Sequence, residues 1–148
     1  MVAATESAMG IRAVSEETGL TIDTLRWYER QGLLPAVERT ADGRRRYTAA
    51  SVTFVRLVQA LRRTGMPVAD VRRFVSLMDE GASSHGRRMA LLEQQRDAIL
   101  TNLDQMHEDL RTVETKIEHY RDLIDRGLDC EGAAVDDGTA RLQRSRLG

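Results

Sequence analysis

Apolar residues in the first 80 positions fall into short helical stripes separated by turn signals. Ile11, Ala13 and Val14 form one such stripe, and Gly19 can end it by taking the left-handed conformation that closes a helix. Two residues later Thr21 offers a capping hydroxyl, Asp23 suits the positive first turn, and Ile22, Leu25 and Trp27 supply apolar surface for a second helix. Beyond Gly32, the run Leu33-Leu34-Pro35 turns the chain extended, because proline lacks the donor and restrains its predecessor. Val37 to Arg39 and Arg44 to Tyr47 then flank Thr40-Ala41-Asp42-Gly43, and Asp-Gly is a strong hairpin signal. Thr48 opens a third helix with a stripe of Val52, Val55, Val58 and Leu61, ended by Gly65. Pro67 opens a fourth at its first position, with Val68, Val71, Phe74, Val75 and Met78 as its expected buried face.

A different rhythm follows. From His85 to Arg126 there is no proline and only one glycine, near the start, and the apolar residues keep a heptad. With a at Met89, Arg96, Leu103, Leu110, Ile117 and Ile124, position d falls on Leu92, Ile99, Met106, Val113 and Tyr120. Arg96 alone is polar, and it would fix the register or meet an acid across the seam. A helix of roughly 40 residues, about 60 Å long, cannot bury such a stripe against a domain of 80 residues and needs a partner helix. The expected organisation is a flexible N-terminus over residues 1–9, a compact multi-helix head domain over 10–80, a coiled-coil dimerisation helix over 81–126 and a mobile tail over 127–148.

Two short helices joined through Gly19-Leu20 have the spacing of a helix-turn-helix, whose second helix lies in the major groove. Thr21, Thr24, Arg26 and Tyr28 would face DNA, with Trp27 divided between core and groove. Arg44, Arg45 and Arg46 sit just past the hairpin tip. On a strand they would repel one another unless an external polyanion neutralised them, and arginine forks match phosphate oxygens. Tyr47 adds a phenol that could donate to phosphate.

These residues resemble the MerR family of bacterial transcription regulators. The likeness rests on R-W-Y-E at Arg26 to Glu29, G-L-L-P at Gly32 to Pro35 and G-R-R-R-Y at Gly43 to Tyr47, and it runs from about Ile11 to about Met78. Family members more often carry Tyr at positions 27 and 44, where this chain keeps a large side chain in Trp27 and Arg44. The resemblance implies a mainly α-helical fold, a winged helix-turn-helix with a small β-hairpin wing, followed by a long coiled-coil helix that pairs antiparallel between protomers. It places a second wing, a backbone-contacting element, at Arg62 and Arg63. It further implies a homodimer that distorts promoter DNA so that RNA polymerase can engage both promoter elements, under an unspecified small-molecule or stress signal.

Charge sharpens this picture. The chain as a whole has pI near 6.3 and net charge −1. Residues 1–75, however, hold 12 Arg against 8 acids, net +4, while residues 76–148 hold 10 basic against 15 acidic residues, net −5. Only one half suits a polyanion, and its affinity should fall steeply with salt. Two heads on a rigid coil call for an inverted-repeat operator. Arg45→Ala is expected to weaken binding to every sequence, and Thr24→Ala to relax base preference.

Other chemistries find little support. No nucleophile is paired with a base, no carboxylates converge and no phosphate loop is present, so an enzyme is not expected, nor a cofactor. His85, His107 and His119 fall on different heptad positions and do not converge on a metal within one helix. Met89, Met106 and Tyr120 read as seam packing rather than an effector site. Cys130, between Asp129 and Glu131, is a candidate thiol sensor. No apolar run is long enough to span a membrane, and Met1 to Met9 do not form a secretory signal, so the expected location is cytoplasmic. The alternatives are a DNA-architecture or excision accessory protein using the same head, or a coiled-coil scaffold for another protein.

Overall fold

The structure is a computed structural model that describes residues 8–146. It falls into two units, one up to Ile99 and one from Leu100 onward.

In the first unit, helix α1 (Ile11–Thr18) ends where Gly19, at φ 75°, donates its N–H to Ser15 O. Helix α2 (Ile22–Arg30) starts from Thr21, whose Oγ1 accepts the Thr24 N–H at 3.1 Å. Strands β1 (Glu38–Arg39) and β2 (Arg45–Arg46) form an antiparallel pair in which Glu38 faces Arg46 and Arg39 faces Arg45. Thr48 caps helix α3 (Ala49–Arg63) through the Ser51 N–H, and helix α4 (Val68–Met78) follows Pro67. A 3₁₀ turn (Gly81–Ser84) leads into helix α5 (His85–Arg126).

The core of this unit gathers one face of each of its helices: Val14 from α1, Leu25 and Tyr28 from α2, Val52, Val55, Val58 and Leu61 from α3, Val71, Phe74 and Leu77 from α4, and Leu91 from α5, with Leu33 and Leu34 between α2 and the hairpin. On α4 the buried face is thus centred on Leu77 rather than on Val75, which is only half-buried, as are Val68 and Met78. Polar ties fix the layers. Gln59 Nε2 donates to Thr18 O (3.2 Å), joining α3 to α1, and Gln95 Nε2 donates to Thr64 O (3.2 Å) and Thr64 Oγ1 (3.1 Å), joining α5 to the end of α3. Ser84, fully buried, donates to Leu77 O at 2.6 Å and so closes the turn between α4 and α5.

Two expectations change at the ends of the chain. The N-terminal segment expected to be flexible over residues 1–9 lies, up to residue 7, outside the described residues. Met9 is held: it exchanges two 2.8 Å backbone hydrogen bonds with Tyr47, extending the hairpin by one bridge. The tail expected to be mobile from residue 127 is folded in the second unit. Leu128 bridges Ala134, the Asp129 carboxylate accepts the N–H groups of Glu131 and Ala133, and helix α6 (Asp137–Gln143) is capped by Asp136. Gln143 Nε2 donates to Leu128 O (2.8 Å), and Leu123 is buried beneath. Short apolar residues and Asp caps carried that order, and composition alone masks it.

The rest of α5 is a contrast. From Leu100 to Asp122 every residue is exposed, including Leu103, Met106, Leu110, Val113, Ile117 and Tyr120 of the heptad, each about half-exposed or more. Nearer its start, Met89 and Arg96 are also exposed, whereas Leu92 is partly buried and packs against the head's core. Ile99 and Ile124 are half-buried.

Candidate nucleic-acid interface

Helix α2 presents Thr21, Asp23, Arg26 and Arg30 to solvent, with Thr24 and Trp27 half-buried beside them. Asp23, Arg26 or Trp27, and Arg30 recur at helical spacing and share one face. Arg26 lies 3.8 Å from Asp23, an exposed pair that holds the guanidinium only weakly. Thr21 Oγ1 is engaged as the cap, and it lies 2.8 Å from Thr24 Oγ1. Of the four residues expected to face the groove, Tyr28 does not: its ring is buried in the core and tilted against Trp27 at 5.9 Å between centroids. Burial pushes its phenol pKa up, while the nearby guanidinium groups of Arg62 and Arg63 pull it down. Tyr28 enters the core, while half-buried Trp27 sits at its rim.

Tyr47 also departs from its expected role. It is fully buried, with its hydroxyl enclosed and unpaired among the described residues, so it packs under the hairpin and does not reach a phosphate. Desolvation raises its pKa, as does the Glu29 carboxylate.

The hairpin tip is closed by the Gly43 N–H donating to Thr40 O and the Thr40 N–H donating to Arg44 O, both at 2.9 Å, with Gly43 at φ 82°. That left-handed residue turns the chain so that Arg44 emerges largely exposed, 3.3 Å from Asp42. Arg46 is exposed and makes no ion pair among the described residues. Arg45 behaves otherwise. It is mostly buried and paired with Glu29 of α2, whose other oxygen accepts Arg39 Nη2 at 3.1 Å. The repulsion expected among the three arginines is therefore relieved partly from inside the protein. Glu29 and Arg39 escaped sequence reasoning, as did Arg30. Arg30 was legible as i+4 from Arg26, but a contact between α2 and the hairpin, 10 and 16 residues apart, carries no local signal.

At the far end of α3, Arg62 Nη1 donates to Met66 O (2.7 Å) and braces the turn, while Arg63 is exposed. Arg72 ties α4 to the end of α2 through Gln31 O (2.8 Å) and Gln31 Oε1 (3.2 Å).

The model of the MerR HTH family regulatory protein matches residues 9–77. An uncharacterized HTH-type transcriptional regulator of Haemophilus influenzae is 32% identical over 107 residues, covering 72% of this chain and 79% of that one. The chain belongs to the MerR family. The HTH-type transcriptional regulator AdhR of Bacillus subtilis is 30% identical over 92 residues, 62% of this chain and 66% of AdhR. Among solved structures, HiNmlR, a MerR family regulator lacking the sensor domain and bound to promoter DNA, superposes with a TM-score of 0.75 at 29% identity, covering 82% of this chain and 96% of that one. Like these MerR-family proteins, the chain is a transcriptional regulator with a helix-turn-helix, a small two-stranded wing and a long helix. Among the described residues no helix is long and apolar enough to cross a membrane.

Proposed function

We propose that this MerR-family regulator acts as a homodimer that reads an inverted-repeat operator and distorts promoter DNA. The observation that carries the reading is the shared frame of two elements. The exposed face of α2, with Thr24, Arg26, Trp27 and Arg30, and the exposed wing arginines Arg44 and Arg46 are mounted on one core, so a single duplex can meet both. Arg26 and Thr24 take the base-reading role, and Arg44, Arg46 and, at the end of α3, Arg63 the phosphate role. HiNmlR, bound to promoter DNA with the same fold, supports that placement. Bending the promoter costs about 1–6 kcal/mol, which added phosphate contacts offset. RNA polymerase then enters as a partner through the reshaped promoter, in the cytoplasm, and an unidentified signal governs the switch. The related proteins are regulators rather than enzymes, and no catalytic role is assigned.

Dimerisation rests on the heptad residues from Leu103 to Tyr120 of α5, each about half-exposed or more in the single chain. Duplex selection from a random library with the full chain, followed by gel shift at low ionic strength, tests the reading. Recovery of a two-fold symmetric site supports it. Asymmetric sites, or failure of the chain to retain any duplex, would overturn it.

A further inference from the structure

Arg39 and Arg45 stand directly opposite each other across the two strands of the hairpin, an arrangement that places two like charges on one face. Their separation is stabilised by one carboxylate. Glu29, on the last turn of α2 and mostly buried, accepts Arg39 Nη2 on Oε1 (3.1 Å) and Arg45 Nε on Oε2. Arg39 turns its other nitrogen, Nη1, to Gly43 O at 3.0 Å, so the same clamp reaches the tip of the loop. The opposite face of the hairpin carries Glu38 and Arg46, both exposed, and Arg44 projects beyond. The wing thus has one cationic pair engaged by Glu29, with Arg45 mostly buried and Arg39 still about half exposed, and an outward face, with Arg46, that makes no such pair.

From this geometry we infer that Glu29 is a positioning residue for DNA recognition: it locks the wing onto the recognition helix and withholds Arg39 and Arg45 from the phosphates, leaving Arg44 and Arg46 to make the wing's backbone contacts. The inference rests on the DNA-binding reading above. A charge-assisted clamp between two elements fixes the wing on α2 before the duplex arrives, so the ordering of the wing is not charged against binding. Withheld arginines also release no counterions, and this separates a lock from a mere fold support.

The salt dependence of binding to a mixed-sequence duplex, together with affinity for the selected operator, tests this with the full-length chain. Glu29→Gln, which keeps the shape and loses the charge, frees up to two arginines. Its log–log salt slope should steepen by about 1–2, each freed arginine adding about a 3.5-fold loss of affinity between 50 and 200 mM salt. The ratio of operator to mixed-sequence affinity should fall roughly tenfold. Glu29→Asp should restore part of that ratio. Arg45→Gln should leave the slope at the wild-type value, whereas Arg46→Gln should lower it by about 1. An unchanged slope in folded Glu29→Gln, or an Arg45→Gln slope reduced as far as that of Arg46→Gln, overturns the inference; if Glu29→Gln does not fold, the two arginine variants alone decide it. Wild-type protein that binds no duplex sinks the DNA-binding reading instead.

Discussion

Two stretches of α5 follow opposite rules. Its first turns, from His85 to Ile99, bury Leu91 and Gln95 and pack Leu92 against the head, as any amphipathic helix of a globular domain does. From Leu100 to Asp122 every residue of the same helix is exposed, yet its apolar residues keep the heptad. Similar residue types are thus used in two ways. Up to Ile99 the stripe makes its contacts within the chain, and from Leu100 the heptad is, on the reading proposed above, half of an interface.

The sharpest way to break this comparison is to charge the outer stripe. Replacing Leu110 and Ile117 together by Asp puts four carboxylates into the seam of a dimer, because each substitution appears twice. Each lost apolar burial costs about 1.5–3 kcal/mol before repulsion is added. Sedimentation equilibrium should show monomers, with operator affinity lowered a hundredfold or more, while the circular dichroism of the head persists. A variant that still sediments as a dimer with wild-type affinity would show that the stripe is not the interface.

A second change probes the inner rule. Leu25 is fully buried between α2 and the core, so Leu25→Ala should destabilise the head by about 2–5 kcal/mol through lost burial and a residual cavity. Met106 is 67% exposed, so in the single chain Met106→Ala has little to lose. Urea unfolding at protein concentrations below and above the dimer dissociation constant separates the two. The Leu25 effect should be independent of concentration, and that of Met106 should emerge only when dimers form. A Met106 effect in the dilute monomer would refute the division.

Much of this was legible in the sequence, and the reasons differ by residue. Gly19, Thr21 and Thr48 act through contacts within five residues, so their caps and turns could be placed from local chemistry alone. The long heptad was legible because periodicity accumulates over 42 residues. Tyr28 and Tyr47 differ from their sequence expectation for one common reason: a tyrosine reads equally as core or contact until its neighbours are known, and both rings turn inward. Leu92 fits the heptad and the head's core alike, and periodicity cannot choose between two partners. Glu29 was invisible as a clamp because its arginines arrive from β1 and β2, and the tail's fold was hidden because Asp129, Asp136 and Gln143 resemble any polar linker until their hydrogen bonds are traced.

The smallest expected effect contrasts the caps of the two units. In the head, α2 and α3 are capped by the hydroxyls of Thr21 and Thr48, which do not titrate. In the second unit, α6 is capped by a carboxylate: Asp136 Oδ1 accepts the Thr139 N–H at 2.7 Å and Oδ2 accepts the Thr139 hydroxyl at 3.1 Å. Those bonds favour the ionised form and hold the Asp136 pKa below its ordinary value. A depressed folded-state pKa means the cap's contribution is fully present above the ordinary Asp value and is lost as pH falls through the lower, folded one. Acidification should therefore loosen α6 while leaving the threonine caps intact. The Thr139 amide resonance should titrate with Asp136, and Asp136→Asn, which keeps an acceptor but removes the charge, should abolish that titration without moving the amides of Thr24 and Ser51. Should the Thr139 amide still titrate in Asp136→Asn, or should Thr24 and Ser51 follow the same curve in the wild type, the tail's order would have to come from something other than this cap.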